Sequence, residues 1–216
     1  MTCQVETLVT VRYDAAMNVE ALHELIEHKF ALEPLLAVQG LANTYSFEDD
    51  EELLPDPKGS RQWLVEAGLL GKKAKVSAKD HDELLELRKA VRALLEANQS
   101  NTRDPDGVET LRRMAAEYPV EFEVTDGGKV AIDLEPAASI GELIAQMVGI
   151  VGLAQDRDQW HRLKICAADD CRWTFYDTSK NRGGTWCRME VCGNRTKNRR
   201  YRKSQSALRA GSKSAN

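Results

Sequence analysis

Two short stretches, Cys166-Ala-Ala-Asp-Asp-Cys171 and Cys187-Arg-Met-Glu-Val-Cys192, decide how the end of this chain folds. Together they give the pattern Cys-x4-Cys-x15-Cys-x4-Cys, while the fifth cysteine, Cys3, stands near the start of the sequence. Two close pairs of cysteines suit the tetrahedral sulfur coordination that Zn²⁺ prefers, and each pair can come from one tight turn. Two disulfides or an iron–sulfur cluster are the alternatives. We predict one structural zinc ion, with Cys166, Cys171, Cys187 and Cys192 as its ligands.

The segment around these cysteines is too poor in aliphatic side chains to fold unaided, because so short a segment buries little apolar surface. Zinc binding would then supply folding free energy. Trp173, Phe175 and Trp186 are expected to form a small core around the metal, with a strand over 173–176. Four thiolates on a divalent ion leave excess negative charge, which nearby cations must offset. The candidates for this role are Arg172, Arg188 and Arg195.

Charge divides the chain into two parts. The whole sequence has 30 Lys/Arg and 34 Asp/Glu, but residues 157–216 hold 15 Lys/Arg against 5 Asp/Glu. This segment therefore carries +10, and residues 1–156 carry −14. Such a basic segment is typical of proteins that bind a polyanion, most simply nucleic acid, although a solvated tail is the alternative.

Positive charge is densest just after the last cysteine. Six of the nine residues from Arg195 to Lys203 are Lys or Arg, and Arg195, Arg199 and Arg202 fall on one face of a helix. Like charges at this spacing repel unless a partner neutralises them, so phosphates are expected nearby. Asn194 could cap this helix or read adenine, and capping is favoured. The residues predicted to contact DNA are Lys180, Arg182, Arg195, Lys197, Asn198, Arg199, Arg200, Arg202 and Lys203.

The acidic part contains signals for both strands and helices. Residues 7–13 alternate like a strand, and 120–124 with 129–134 read as a β-hairpin around Asp126-Gly-Gly128. Ser139 and Glu142 resemble a capping box. Helices are predicted from Asn18 to about Phe30, over 60–67, 78–98 and 108–116, and from Ile140 towards Trp160.

These elements predict an α+β fold. It has a mostly helical N-terminal domain with a small sheet or hairpin, then a small four-cysteine zinc finger with a β-hairpin and a basic helix. The predicted boundaries are 1–157 for the acidic domain, 158–204 for the finger and 205–216 for a flexible tail.

Several function classes are disfavoured by what the sequence lacks. The longest apolar stretch, 147–154, falls short of the roughly 20 residues of a bilayer-spanning helix, so we expect no membrane association and a cytoplasmic location. Neither a phosphate-cradling glycine loop nor a serine nucleophile motif occurs, and the four histidines are scattered. A zinc ion with four sulfur ligands also has no open position for water. We therefore expect no enzyme.

The C-terminal segment resembles the CGNR zinc-finger family, named for Cys192-Gly-Asn-Arg195. The similarity runs from about His161 to Arg202 and includes Asp177-Thr-Ser-Lys-Asn-Arg182 and Trp186-Cys187-Arg-Met189. One departure is Gly183-Gly-Thr185, which stands where the family commonly has further arginines.

The acidic part is similar to the ABATE domain, which this family typically carries and which is associated with stress-induced transcription regulation. Its landmarks here are Leu41-Ala-Asn-Thr44, Leu53-Leu-Pro-Asp-Pro57, Trp63-Leu-Val-Glu-Ala-Gly-Leu-Leu70 and Leu87-Arg-Lys-Ala-Val-Arg92. The strand and helix predicted over 7–30 precede the usual pattern.

Residues and resemblance together indicate a zinc-dependent, DNA-binding transcription regulator whose N-terminal domain senses a signal or dimerises. The signal would be an unidentified small molecule or protein, with Leu41–Tyr45 and the hairpin as the places for a small ligand. A homodimer is expected because one small finger buries too little surface for tight specific binding. The alternative is an RNA-binding or protein-interaction adaptor that uses the zinc module.

Overall fold

A computed structural model describes residues 9–12, 17–100 and 102–213 of the chain. Its helices are α1 (Val19–Ile26), α2 (Leu35–Ala42), α3 (Pro57–Glu66), α4 (Ala78–Ser100), α5 (Pro105–Glu117), α6 (Ile140–Asp156) and α7 (Asn194–Lys213). Its strands are β1 (Val9–Arg12), β2 (Tyr45–Ser46), β3 (Glu51–Glu52), β4 (Phe122–Val124), β5 (Val130–Asp133), β6 (Leu163–Ile165) and β7 (Thr174–Tyr176). The predicted α+β class is confirmed. Across these residues, every helix is too short or too polar to span a bilayer.

Helix α2 lies at the centre of the core. Every one of its eight residues is buried, and α1, α4 and α6 pack around it. Gly40 allows α1 to approach closely, since a Cβ there would lie 2.5 Å from the Leu22 Cδ2 atom. Such full burial means that α2 is held by packing on all sides.

Two helix starts use the capping residues expected from the sequence. The Asn18 side chain accepts a hydrogen bond from the Ala21 amide at 3.2 Å, and the Ser139 hydroxyl accepts one from the Glu142 amide at 3.2 Å. The Glu142 carboxylate accepts a bond of 2.9 Å from the Ala138 amide, one residue before the position that a capping box uses. Helix α1 ends at Ile26, so the predicted extension to Phe30 is wrong.

The predicted β-hairpin is confirmed. Strands β4 and β5 pair antiparallel, and Gly128 takes a positive φ of 74° in the turn that joins them. Strand β1 pairs parallel with β5, which gives the sheet order β1-β5-β4. The rest of the strand predicted over 7–13, and Cys3, lie outside the described residues.

The C-terminal segment shares the core of the acidic part. Strands β6 and β7 pair antiparallel, with β6 packed on α4 and β7 packed on α2. Trp160, Leu163, Ile165 and Tyr176 are buried in the same hydrophobic cluster as α2, α4 and α6. The core thus crosses the predicted 157/158 boundary, and independent folding of 158–204 stays a prediction. The predicted tail is helical as far as Lys213.

Candidate metal centre

The four cysteines predicted to bind metal lie together and are buried. Their sulfur atoms all lie within 4.8 Å of one another, and those of Cys171 and Cys192 each lie 3.6 Å from that of Cys187. Zn–S bonds of about 2.3 Å in a tetrahedron separate the sulfurs by about 3.8 Å. The cluster therefore has the dimensions of one closed zinc site.

Hydrogen bonds among the cysteines shift the pKa values of three of them. Hydrogen bonding with Cys166 raises the pKa of Cys171 to about 12 and also raises that of Cys187. Hydrogen bonds from Cys171 and Cys187 lower the pKa of Cys166 to about 2. A metal ion instead favours the deprotonated form of each cysteine that binds it. The donor set fits one structural zinc ion.

Backbone hydrogen bonds shape the turns that present the cysteines. The Cys171 amide donates to the carbonyl three residues earlier at 2.9 Å. The Cys192 amide donates to the carbonyl four residues earlier at 3.0 Å, beside the π turn Met189–Gly193. A bond of 3.0 Å from the Ala167 amide to the Thr185 carbonyl joins the two turns. Backbone hydrogen bonds therefore hold the four cysteines close together.

The predicted aromatic core around the metal is confirmed. Phe175 is fully buried beside the cysteines, and Trp173 and Trp186 pack against the same cluster. Lys29 reaches this core from the acidic part, with its ammonium 4.7 Å from the Phe175 ring centroid and donating to the Trp186 carbonyl at 2.9 Å. A residue far away in sequence thus contributes to the finger.

One of the three arginines expected near the thiolates is placed there. The Arg195 Nη2 atom lies 3.9 Å from the Cys192 sulfur. Arg172 instead pairs with Glu96, and Arg188 lies 3.9 Å from Glu27. Arg195 is therefore the cation best placed to offset thiolate charge.

Two amide side chains, one within α2 and one just after it, hold strand β7 from the side. Asn43 donates to the Thr174 carbonyl at 2.9 Å and accepts from the Thr174 amide at 2.8 Å, as a neighbouring strand would. Gln39 also donates to this carbonyl, at 3.2 Å. Residues 41–44 are buried in this packing, so the expected ligand site at Leu41–Tyr45 is instead part of the core that supports the finger.

Asn43→Ala should lower the free energy of unfolding by about 2–3 kcal/mol, because it leaves a buried backbone amide without a partner. Urea denaturation followed by tryptophan fluorescence would measure the change. The matched variant Asn181→Ala removes an exposed amide and should change stability by less than about 0.5 kcal/mol. Equal stability of the two variants would contradict the role given to Asn43.

A buried ion pair fixes the loop between β7 and the third cysteine. Lys164 donates to the Asp177 carboxylate at 2.8 Å, and both side chains are less than one-tenth exposed. The same carboxylate accepts bonds from the amides of Ser179 at 3.0 Å and Gly184 at 2.7 Å. A Cβ at Gly184 would lie 2.6 Å from the Asp177 carboxylate, so no larger side chain fits there.

Three of the predicted DNA contacts are occupied by carboxylates of the protein itself. Arg195 donates to Glu48 at 2.7 Å, Arg199 donates to Asp169 at 2.9 Å, and Arg182 pairs with Asp158 at 2.9 Å. The repulsion expected along the Arg195–Arg199 face is therefore relieved without phosphate. Asp169 and Asp170, between the first two cysteines, were the signal in the sequence that carboxylates could pair with these arginines.

The remaining predicted contacts lie on exposed surface. These residues are Lys180, Lys197, Asn198, Arg200, Arg202 and Lys203. Tyr201 was not predicted as a contact from the sequence. It is 65% exposed and lies among these cations. Asn194 begins α7, and its side chain donates to the Glu190 carbonyl at 3.1 Å, which fits a structural role at the start of the helix.

Fold and site together define a zinc-finger protein whose finger is built into an α+β domain. Residues 162–205 match the CGNR zinc finger, and residues 37–151 match ABATE, described as "Putative stress-induced transcription regulator". Because the second match covers more than half of the sequence, the chain belongs to the ABATE family. Neither description names an enzyme. A comparison with curated proteins finds no match.

Proposed function

We propose that the protein is a DNA-binding transcription regulator whose zinc-held finger presents helix α7 to duplex DNA. The observation that carries this proposal is the charge of α7, which has eight Lys/Arg and no Asp/Glu over residues 194–213. Such a helix attracts a polyanion and releases counterions when its cations meet phosphates. The family match to a transcription regulator supports the same assignment.

The cations of α7 divide into two groups with different roles. Arg195 and Arg199 are engaged by Glu48 and Asp169, so they anchor the helix to the body of the protein. Lys197 and Arg200 lie three residues apart on the exposed side, where phosphates can reach them. Tyr201 lies one helical turn from Lys197 and can pack against sugar or base. We therefore place the DNA contacts on the exposed side of α7.

The zinc ion has a supporting role in this proposal. Bound by the four cysteines, it supplies a fixed cross-link between the turns that precede α7. The buried residues around it hold the start of the helix against the acidic domain, which would carry the response to a signal. A homodimer would let two such helices read two half-sites, and sedimentation of the full chain as a monomer at micromolar concentration would contradict it.

The double variant Lys197→Ala/Arg200→Ala should weaken DNA binding by about tenfold or more and reduce the salt slope of log affinity by about 2, since two phosphate contacts are lost. Fluorescence anisotropy of the full chain with a duplex of random sequence would measure both. The control Lys72→Ala/Lys73→Ala removes two exposed cations from the acidic domain and should leave binding unchanged.

The same measurement separates DNA binding from its alternatives. Structured RNA that competes as well as duplex DNA would favour the RNA-binding alternative. Capture of α7 by an acidic polypeptide, with no salt-dependent DNA binding, would favour an adaptor. Either result would contradict the proposal.

A further inference from the structure

A cavity of about 500 Å³ lies between the β4–β5 hairpin and the first turns of α6. Its apolar wall is formed by Tyr118, Val120, Ile132 and Ala145. This volume falls within the range of about 300–1,000 Å³ that is usual for small-molecule sites. We propose that the cavity binds a small organic cation, an ammonium group attached to an aromatic or aliphatic body. This inference is independent of DNA binding by α7.

The polar lining selects for positive charge. Glu121, Asp133 and Glu142 line the cavity, and among the described residues no Lys, Arg or His lines it. Glu117 also lines it but is already paired with Arg113 at 3.0 Å. A cavity with this charge attracts cations and repels anions of the same shape.

A buried amide offers an acceptor for the ammonium group. Gln146 lines the cavity and is only 9% exposed. Its Nε2 atom donates to the carbonyls of Glu135 at 2.9 Å and Asp133 at 3.4 Å, which fixes the orientation of the amide. Its Oε1 atom is the acceptor of the same amide and can receive an N–H donor of a ligand in the cavity.

The Tyr118 ring supplies a wall for the body of the ligand. The ring packs against the start of α6, where a Cβ at Gly141 would lie 2.8 Å from the Tyr118 Cδ1 atom. The absence of a side chain at Gly141 therefore permits this ring position. An aromatic face next to carboxylates suits a ligand that combines an apolar body with an ammonium group, because the ring also attracts cations.

Three probes with one shape and different charge test the proposal. They are 2-phenylethylamine, 2-phenylethanol and phenylacetate, titrated into the full zinc-loaded chain by isothermal calorimetry and by NMR of backbone amides. The amine should bind with a Kd of about 1 mM or tighter and shift amides of α6 and the hairpin, and the alcohol and the acid should bind at least about tenfold more weakly. Binding of all three probes alike, or of none at about 10 mM, would overturn the proposal.

Isosteric variants locate the site. Asp133→Asn/Glu142→Gln keeps the oxygens that accept from the Glu135 and Ala138 amides but removes both charges. It should weaken amine binding by about tenfold, a loss of about 1.4 kcal/mol. The control Asp82→Asn/Glu109→Gln, on α4 and α5 outside the cavity lining, should bind as the wild type does. Unchanged binding in the first variant would show that the amine binds elsewhere and would also overturn the proposal.

Discussion

Removal of zinc with a chelator should unfold the chain on both sides of residue 157 in one transition. Structural zinc contributes about 10 kcal/mol or more to the folding of small zinc domains, a value comparable to the whole stability of a typical protein. Trp160, Leu163 and Ile165 of the C-terminal segment are buried in the same cluster as α2, α4 and α6. Loss of the finger would therefore open the central core as well.

Far-UV circular dichroism and NMR of amides in α4 would measure this unfolding. Cys187→Ser should reproduce the effect of the chelator, because it removes one of the four sulfurs. Cys3→Ser is the matched control, since Cys3 lies outside the Cys-x4-Cys-x15-Cys-x4-Cys pattern of the sequence, and it should leave metal content and stability unchanged. Retention of native α4 signals after complete loss of zinc would show that the acidic part folds without the finger.

Asp177→Asn should destabilise the protein by about 3–5 kcal/mol, because it leaves the buried Lys164 ammonium without a counter-charge. Lys164→Met in the same chain should restore part of this loss. The matched control is Asp158→Asn, which breaks the exposed pair with Arg182 and should cost less than about 1 kcal/mol. Chemical denaturation of the zinc-loaded variants would measure the free energy of unfolding of each. Equal destabilisation by Asp177→Asn and Asp158→Asn would contradict the larger contribution expected from the buried ion pair.

The stability that the Lys164–Asp177 pair contributes depends on pH in a definite direction. Burial alone would raise the pKa of Asp177, but hydrogen bonds from Lys164, Ser179 and Gly184 outweigh it and hold the pKa well below its usual value. The carboxylate therefore stabilises the fold fully above its unfolded pKa of about 3.9, and this contribution is lost as the pH falls through the lower folded pKa. The stability difference between wild type and Asp177→Asn should narrow below about pH 4.

Local patterns in the sequence were sufficient to predict several elements and the metal ligands. The hairpin over β4 and β5 follows from alternation around two glycines, and α4 follows from its apolar stripe. The cysteine spacing is also local, since each pair lies within one turn. Helix α2 has no such stripe, because all its residues are buried and periodicity cannot separate its faces.

Long-range polar contacts could not be predicted in this way. Asn43 and Thr174 are separated by 131 positions, and an amide that pairs with backbone imposes no recognisable residue type on its partner. The pairing of Arg199 with Asp169 depends on how the first cysteine turn is oriented towards α7. Helical spacing identified the arginines that share a face, but the structure was needed to show which of them face carboxylates.

The hydrogen bonds from Asn43 to Thr174 have a consequence for protein engineering. Because strand β7 takes part of its backbone pairing from Asn43, just after α2, we expect residues 158–204 to fold less stably when they are separated from the acidic part. If this segment were joined to an unrelated protein, it would expose the backbone edge of β7 and the aliphatic side chains that α2 and α4 now cover. A finger that folds on another protein would need those surfaces redesigned, or would have to include helices α2 and α4.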